Sequence, residues 1–363
     1  MRPVRIRLVV TFFMLSAAGL VTTPGASGQR IAKYGADFLA GGVGARALGM
    51  GGAFVASAND VHASYWNPAG LRGVDAPEVA YMHAERFAGV VSFDYAAYAW
   101  PLSEQSTVSL SFFRSGVNDI KNTLDAWDAA RNQPIPNPES RITTFSATDY
   151  AFFFGYGRDA GERTRIGATA KIIRRSIGDF ADAWGYSFDI GAQHHRGPWQ
   201  FGATIQDIST MLQSWSVNDG SLTSLVEVFG DEMPEGGTEL VLPVIRLGAA
   251  RVAPIGQGVL RVEADLDLAF DGQQANAFSA GETSFHPRAG AEYAFRDLVS
   301  VRAGLSRIQD TDAEGLDITP TLGAGVHIDR IHLDYGFGDF AGLVSDLGYS
   351  HRISLNFRFA SRE

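Results

Sequence analysis

The final stretch of the chain, Ile353 to Phe359, alternates strictly. Ile353, Leu355, Phe357 and Phe359 fall on one face, with Ser354, Asn356 and Arg358 on the other. That spacing predicts a β-strand with one apolar and one polar side. Similar segments recur through most of the chain, beginning near Glu78, Val90, Thr107, Asp149, Arg165, Gly185, Trp199, Val241, Val259, His286, Leu298, Thr319, Ile331 and Tyr349. The clearest runs from Val259 to Phe270, where Leu260, Val262, Ala264, Leu266 and Leu268 alternate with Arg261, Glu263, Asp265 and Asp267.

Connection lengths alternate too. Turns such as Pro101 to Ser106, Arg158 to Thr164, Arg196 to Pro198 and Ala253 to Gly258 are short, whereas Ser115 to Thr148 and Ile208 to Leu240 are long. A membrane β-barrel has short periplasmic turns and long extracellular loops, and an even strand number returns both termini to the periplasm. The fold class expected is therefore all-β, a transmembrane antiparallel barrel of about 14 strands over residues 78–363, placed in the outer membrane with outer-membrane lipid around it.

The first 28 residues predict a removable signal peptide. Arg2, Arg5 and Arg7 precede an apolar stretch from Leu8 to Leu20, and Ala26-Ser27-Gly28 supplies the small residues of a cleavage site. Residues 29–77 lack alternation and carry many Gly, Ala and Asn between 41 and 70. A barrel this wide needs its lumen occupied, and this section is the natural plug.

Charge and composition narrow the chemistry. The chain has a formal net charge of -10, and removing three Arg with the leader makes it -13. An acidic chain disfavours nucleic acid or anionic phospholipid as a main partner. The absence of Cys removes disulfides, thiol nucleophiles and thiolate metal sites. No Gly-x-Ser-x-Gly or His-Glu-x-x-His motif occurs, so the sequence predicts no enzyme, no cofactor and no metal. Asp310-x-Asp312-x-Glu314-Gly315 opens like a calcium loop but places Thr321 where the twelfth-position carboxylate belongs. Gly42-x-Gly44-x-x-Ala47 fits a dinucleotide fingerprint only in its letters, since no strand precedes it. The charged residues Arg246, Arg261, Glu263, Asp265, Asp267, Arg288 and Glu292 fall on the predicted lumen face of strands eight to ten, as a mutually paired lining that satisfies the plug.

The run Gly44 to Phe54, which contains Gly49, Met50, Gly51 and Gly52, is followed by Asn59-Asp60 and by Trp66-Asn67-Pro68-Ala69-Gly70-Leu71. This constellation resembles the N-terminal hatch of FadL-type barrels, and most of all their PorV/PorQ branch. The segments Tyr95 to Leu102, Pro243 to Ala250 and Arg288 to Phe295 resemble strand segments of the same group. The resemblance implies a fourteen-stranded barrel with the hatch folded inside. It also implies one of two roles. A PorV/PorQ-like protein would handle or scaffold secreted cargo proteins with subunits of the type IX secretion machinery. A FadL-like protein would instead carry hydrophobic small molecules, which leave the lumen sideways. For a protein-handling role the working part would be the Ile208 to Leu240 loop, with Trp215, Phe229, Asp231 and Glu232 as its binding surface.

Overall fold

The computed structural model describes residues 29–360, apart from 32–36, 87–88, 129–130, 132, 210, 219–235, 271–277, 282, 312–314 and 339–349. Fourteen antiparallel wall strands follow one another in chain order. They are β1 (Glu78–Arg86), β2 (Val91–Ser103), β3 (Ser106–Asn122), β4 (Thr143–Asp159), β5 (Thr164–Ile177), β6 (Ala181–Arg196) and β7 (Trp199–Gln206). The others are β8 (Val244–Ile255), β9 (Gly258–Ala269), β10 (Thr283–Phe295), β11 (Val299–Thr311), β12 (Gly315–Ile328), β13 (Ile331–Gly338) and β14 (Ser350–Arg358). β1 pairs with β14 from Glu78↔Arg358 to Glu85↔His351, which closes the barrel.

The facing follows the predicted alternation. On β9 Glu263, Asp265 and Asp267 are buried in the lumen, while Val262 stands 49% exposed on the outer wall. Outward positions carry the apolar belt that a bilayer requires, with Phe188, Ile190, Leu333, Ile353 and Leu355 among its members.

Two expected loops are shorter than the sequence suggests. β3 and β4 run on to Asn122 and back from Thr143, so the connection is 123–142 rather than Ser115 to Thr148. β7 kinks at Asp207, resumes as Met211–Val217 alongside β6, and is matched by Thr238–Val241 before β8. The exposed residues of these extensions are polar, as at Thr143, Thr144, Ser214 and Ser216, so no apolar belt marks them in the sequence. Gln29–Ile31 pairs in parallel with Thr238–Leu240.

The wall parts between β10 and β11. The β10–β11 ladder ends at Ala289↔Leu305 although both strands continue, and β11 has an irregularity between Leu305 and Arg307 opposite β12. Pro287 on β10 and Pro320 on β12 flank that point, where ladder donors are least needed.

Candidate functional site

The barrel interior is filled by residues 38–76, which make up a series of short turns. They are α1 (Asp37–Ala40), α2 (Ala45–Gly49), α3 (Ala63–Trp66) and a 3-10 turn at Pro68–Gly73. None of these is long enough to hold itself together in isolation, so the wall must hold them. It does so by different means on its two sides.

On the side formed by β8 to β14 the plug is fastened by charge. The Oε1 atom of Glu263 accepts the backbone N–H groups of Ala56 (2.7 Å) and Ser57 (3.3 Å). Asp265 Oδ2 accepts those of Phe54 (2.7 Å) and Val55 (3.0 Å). Two adjacent carboxylates thus satisfy four amides of a turn that has no secondary structure to satisfy them. The Arg46 guanidinium, from α2, donates to both oxygens of Glu292 at 2.8 and 2.9 Å. Within the wall, Arg302 bridges Glu292 (2.6 Å) and Asp334 (2.7 Å) with its side chain fully buried, which holds Glu292 in place for Arg46. Asp267 pairs with Arg288 at 2.7 Å and Arg246 at 3.3 Å.

The sequence-predicted plug residues serve this seat. Gly49, Met50, Gly51 and Gly52 form the turn that closes α2, pressed on β10 to β12. Gly51 has φ +67, and a Cβ there would lie 2.6 Å from the Leu305 backbone nitrogen. Across from it, a Cβ on Gly304 would lie 2.3 Å from the Gly51 nitrogen. Backbone meets backbone only because neither position carries a side chain. Asn59 accepts from Arg46 at 2.9 Å, and Asp60 lies 3.6 Å from the same guanidinium and 3.3 Å from His62 Nδ1. Burial pushes the Asp60 carboxyl up, but His62 and Arg46 outweigh it and hold the group at about 2. Burial likewise lowers His62, and Asp60 more than restores it, leaving the imidazole above its ordinary value.

Trp66 donates from Nε1 to Val43 O at 2.9 Å, and Asn67 fixes the next turn. Its Oδ1 accepts from Ala69 N–H while its Nδ2 reaches Val55 O (2.9 Å) and Ala192 O (3.1 Å). Pro68 starts the 3-10 turn, and Gly70 lies so near the chain that a Cβ would sit 2.2 Å from Ala58 O.

On the side formed by β1 to β5 the plug meets hydrocarbon instead. Phe38 and Leu39 of α1, with Tyr65 and Trp66 of α3, pack against Met82, Phe93, Phe113, Phe153 and Ile173. Ring centroids are 6.0 Å apart for Phe38–Phe113, 5.7 Å for Phe93–Phe113 and 6.1 Å for Tyr65–Phe153. The Tyr65 hydroxyl donates to Leu39 O. Guanidiniums rim this patch, Arg86 standing 4.4 Å over the Phe93 ring and Arg175 standing 5.6 Å over that of Phe38. Apart from the Arg72–Asp159 ion pair (2.8 Å) at the short-turn rim, the plug's polar links here are neutral, such as Ser64 Oγ to Ser111 Oγ at 2.9 Å and Thr169 Oγ1 donating to Ser64 O at 2.8 Å.

The sequence reading missed this apolar side. Its signal was present in Tyr150 to Tyr156, where Phe153 points inward between the outward Phe152 and Phe154. Apolar residues on both faces mark an apolar lumen as well as an apolar belt.

The expected binding loop is corrected in part. Trp215 lies in the wall extension of β7, half-buried, with the Arg175 guanidinium 5.3 Å over its ring, and is no free loop aromatic. Phe229, Asp231 and Glu232 lie outside the described residues. Among the described residues no group of three or more His, Asp or Glu is placed to hold a metal ion.

No family model matches the sequence, and no curated protein matches it either. Solved structures do. The barrel is similar to the toluene transporter TodX of Pseudomonas putida (TM-score 0.55, 14% identity, 87% of this chain and 96% of that one). It is also similar to the toluene transporter TbuX of Ralstonia pickettii (TM-score 0.57, 13% identity, 88% and 99%) and to the monoaromatic hydrocarbon channel CymD (TM-score 0.56, 12% identity, 89% and 99%). At such identities the likeness is one of fold, a closed antiparallel barrel of fourteen strands of the FadL-like kind.

Proposed function

We propose that this protein passes hydrophobic small molecules across the outer membrane, and that they are received on the apolar side of the lumen. The observation that carries the reading is the unequal seat of the plug. One side is clamped by buried carboxylates that hold Arg46 and four backbone amides of the plug, and the other is held mainly by contacts that an apolar ligand reproduces. A ligand can shift an equilibrium only by its differential affinity for two states. A planar hydrocarbon competes with Phe38 and Leu39 for the Phe93, Phe113 and Phe153 rings, but offers nothing to Glu263, Asp265 or Glu292. The functions of TodX, TbuX and CymD support the same substrate class.

The short turns and both ends of the wall then face the periplasm. Cys at Asn137 should react with an impermeant thiol reagent on intact cells, and Cys at Gly256 should not; the reverse pattern overturns this topology. The transport reading is tested by uptake of labelled toluene into cells that lack their own carrier. Uptake should exceed the vector control and fall towards it for Phe113→Arg, whose barrel still migrates as a folded species unless boiled. Equal uptake in all three strains would remove the reading.

The protein-handling role implied by the PorV/PorQ resemblance is the second reading. Absent uptake, together with a secreted protein retained in native pull-downs, would favour it.

A further inference from the structure

Charge is unevenly distributed around the short-turn rim of the barrel. At most of that rim each guanidinium has a polar partner close by. Arg72 bonds Asp159 at 2.8 Å, Arg296 bonds Gln257 Oε1 at 2.6 Å, Arg330 lies 3.9 Å from Asp329 and Arg358 lies 3.5 Å from Asp75. The sector of β6, β7 and β8 differs. Arg196, at the end of β6, and Arg251, on β8, both stand directly opposite Trp199, the first residue of β7. All three side chains are exposed on the outer wall. The Arg251 guanidinium lies 5.6 Å over the Trp199 ring, which is 43% exposed and stacked with the outward Phe201 at 6.3 Å. Arg163, also exposed, sits in the neighbouring turn, where its carbonyl accepts the His195 N–H at 2.9 Å. Among the described residues none of Arg163, Arg196 and Arg251 has an acid within 4.0 Å, and the sequence neighbour Glu162 pairs with none of them.

An exposed indole with unpaired guanidiniums on both sides, at the edge of an apolar belt, has the composition of a headgroup site. Trp seats itself where acyl chains give way to headgroups, and clustered basic residues there attract anionic lipid. We infer that Arg196, Trp199 and Arg251 bind the phosphodiester of an anionic phospholipid in the periplasmic leaflet, with Arg163 adding charge and Phe201 resting on its chains. The overall acidity of the chain does not oppose this, since screening limits a charge to about 8–10 Å. The inference rests on the short turns being periplasmic, which thiol labelling tests separately, so that the two failures are distinguishable.

The test is native mass spectrometry of the mature protein in detergent, offered equimolar phosphatidylglycerol and phosphatidylcholine with identical chains. Phosphatidylglycerol should be retained preferentially, by roughly fivefold for each arginine engaged. The preference should collapse to near parity in Arg196→Gln/Arg251→Gln and persist in Arg296→Gln. Inorganic phosphate at the lipid's concentration should not erode it. If the double variant fails to fold, brominated lipids give the answer with the arginines intact: quenching by phosphatidylglycerol in excess of phosphatidylcholine should vanish in Trp199→Phe. No preference in the unaltered protein, a preference that survives loss of both arginines, or displacement by free phosphate would each overturn the inference.

Discussion

The two sides of the lumen hold the same plug with opposite chemistry. The β8 to β14 side uses carboxylates and guanidiniums that are buried, directional and mutually dependent. The β1 to β5 side uses aromatic rings that are large, non-directional and replaceable. Buried charge pairs tolerate almost no change in partner, because removing one member strands the other. Apolar packing tolerates exchange of one hydrocarbon for another of similar volume. The difference makes one side a fixed mount and the other an exchangeable contact, which is the arrangement a ligand-displaced plug requires.

The largest effect should come from the mount. Glu292→Ala takes the carboxylate from Arg46 of the plug and from Arg261 and Arg302 of the wall, and should cost about 3–5 kcal/mol of plug stability. Hydrogen exchange across residues 45–60 reads this directly, and slow exchange as in the unaltered protein would show that the charged side is no clamp.

Near-isosteric replacements sharpen the contrast. Asp265→Asn keeps the shape but gives up the charge that receives two plug amides, and should cost about 2 kcal/mol. Ile173→Leu, on the other side, should cost less than about 1.5 kcal/mol. Denaturant midpoints for protease protection of the plug compare them. Equal losses would erase the distinction drawn between the two sides.

A smaller effect is expected from pH. Asp60, held at about 2, stabilises the plug above its unfolded value and stops doing so as pH falls through about 2. His62, raised by Asp60, contributes fully below its ordinary value of 6.5, and that contribution is lost as pH rises through its folded value. Plug protection should therefore weaken as pH rises above 6.5, and His62→Gln should flatten that slope. A slope unchanged in the variant would assign the effect elsewhere.

The charged side was legible in the sequence and the apolar side was not. Arg261 to Asp267 declare their facing because each polar residue is flanked by apolar ones, so period two fixes the lumen side without further information. The pairing of Glu263 and Asp265 with Phe54 to Ser57 was beyond reach, since the backbone amides of a plug turn leave no mark in composition. Phe93, Phe113 and Phe153 were hidden for the converse reason: where lipid and lumen are both apolar, alternation loses its contrast. Phe38 and Leu39 sit in a four-residue helix too short to show any period. Trp215 misled because the exposed face of its strand carries Ser214 and Ser216 in place of an apolar belt, so the strand reads as loop.

The central claim is that the apolar side of the plug must leave the wall for a hydrophobic molecule to pass. The chain contains no Cys, and Ser64 Oγ lies 2.9 Å from Ser111 Oγ across this contact, so Ser64→Cys/Ser111→Cys provides a reversible lock at a distance side chains can bridge. Toluene uptake should fall to the vector level when the pair is oxidised and return when it is reduced, with both single variants unaffected. Unchanged uptake through a fully cross-linked protein would contradict the account.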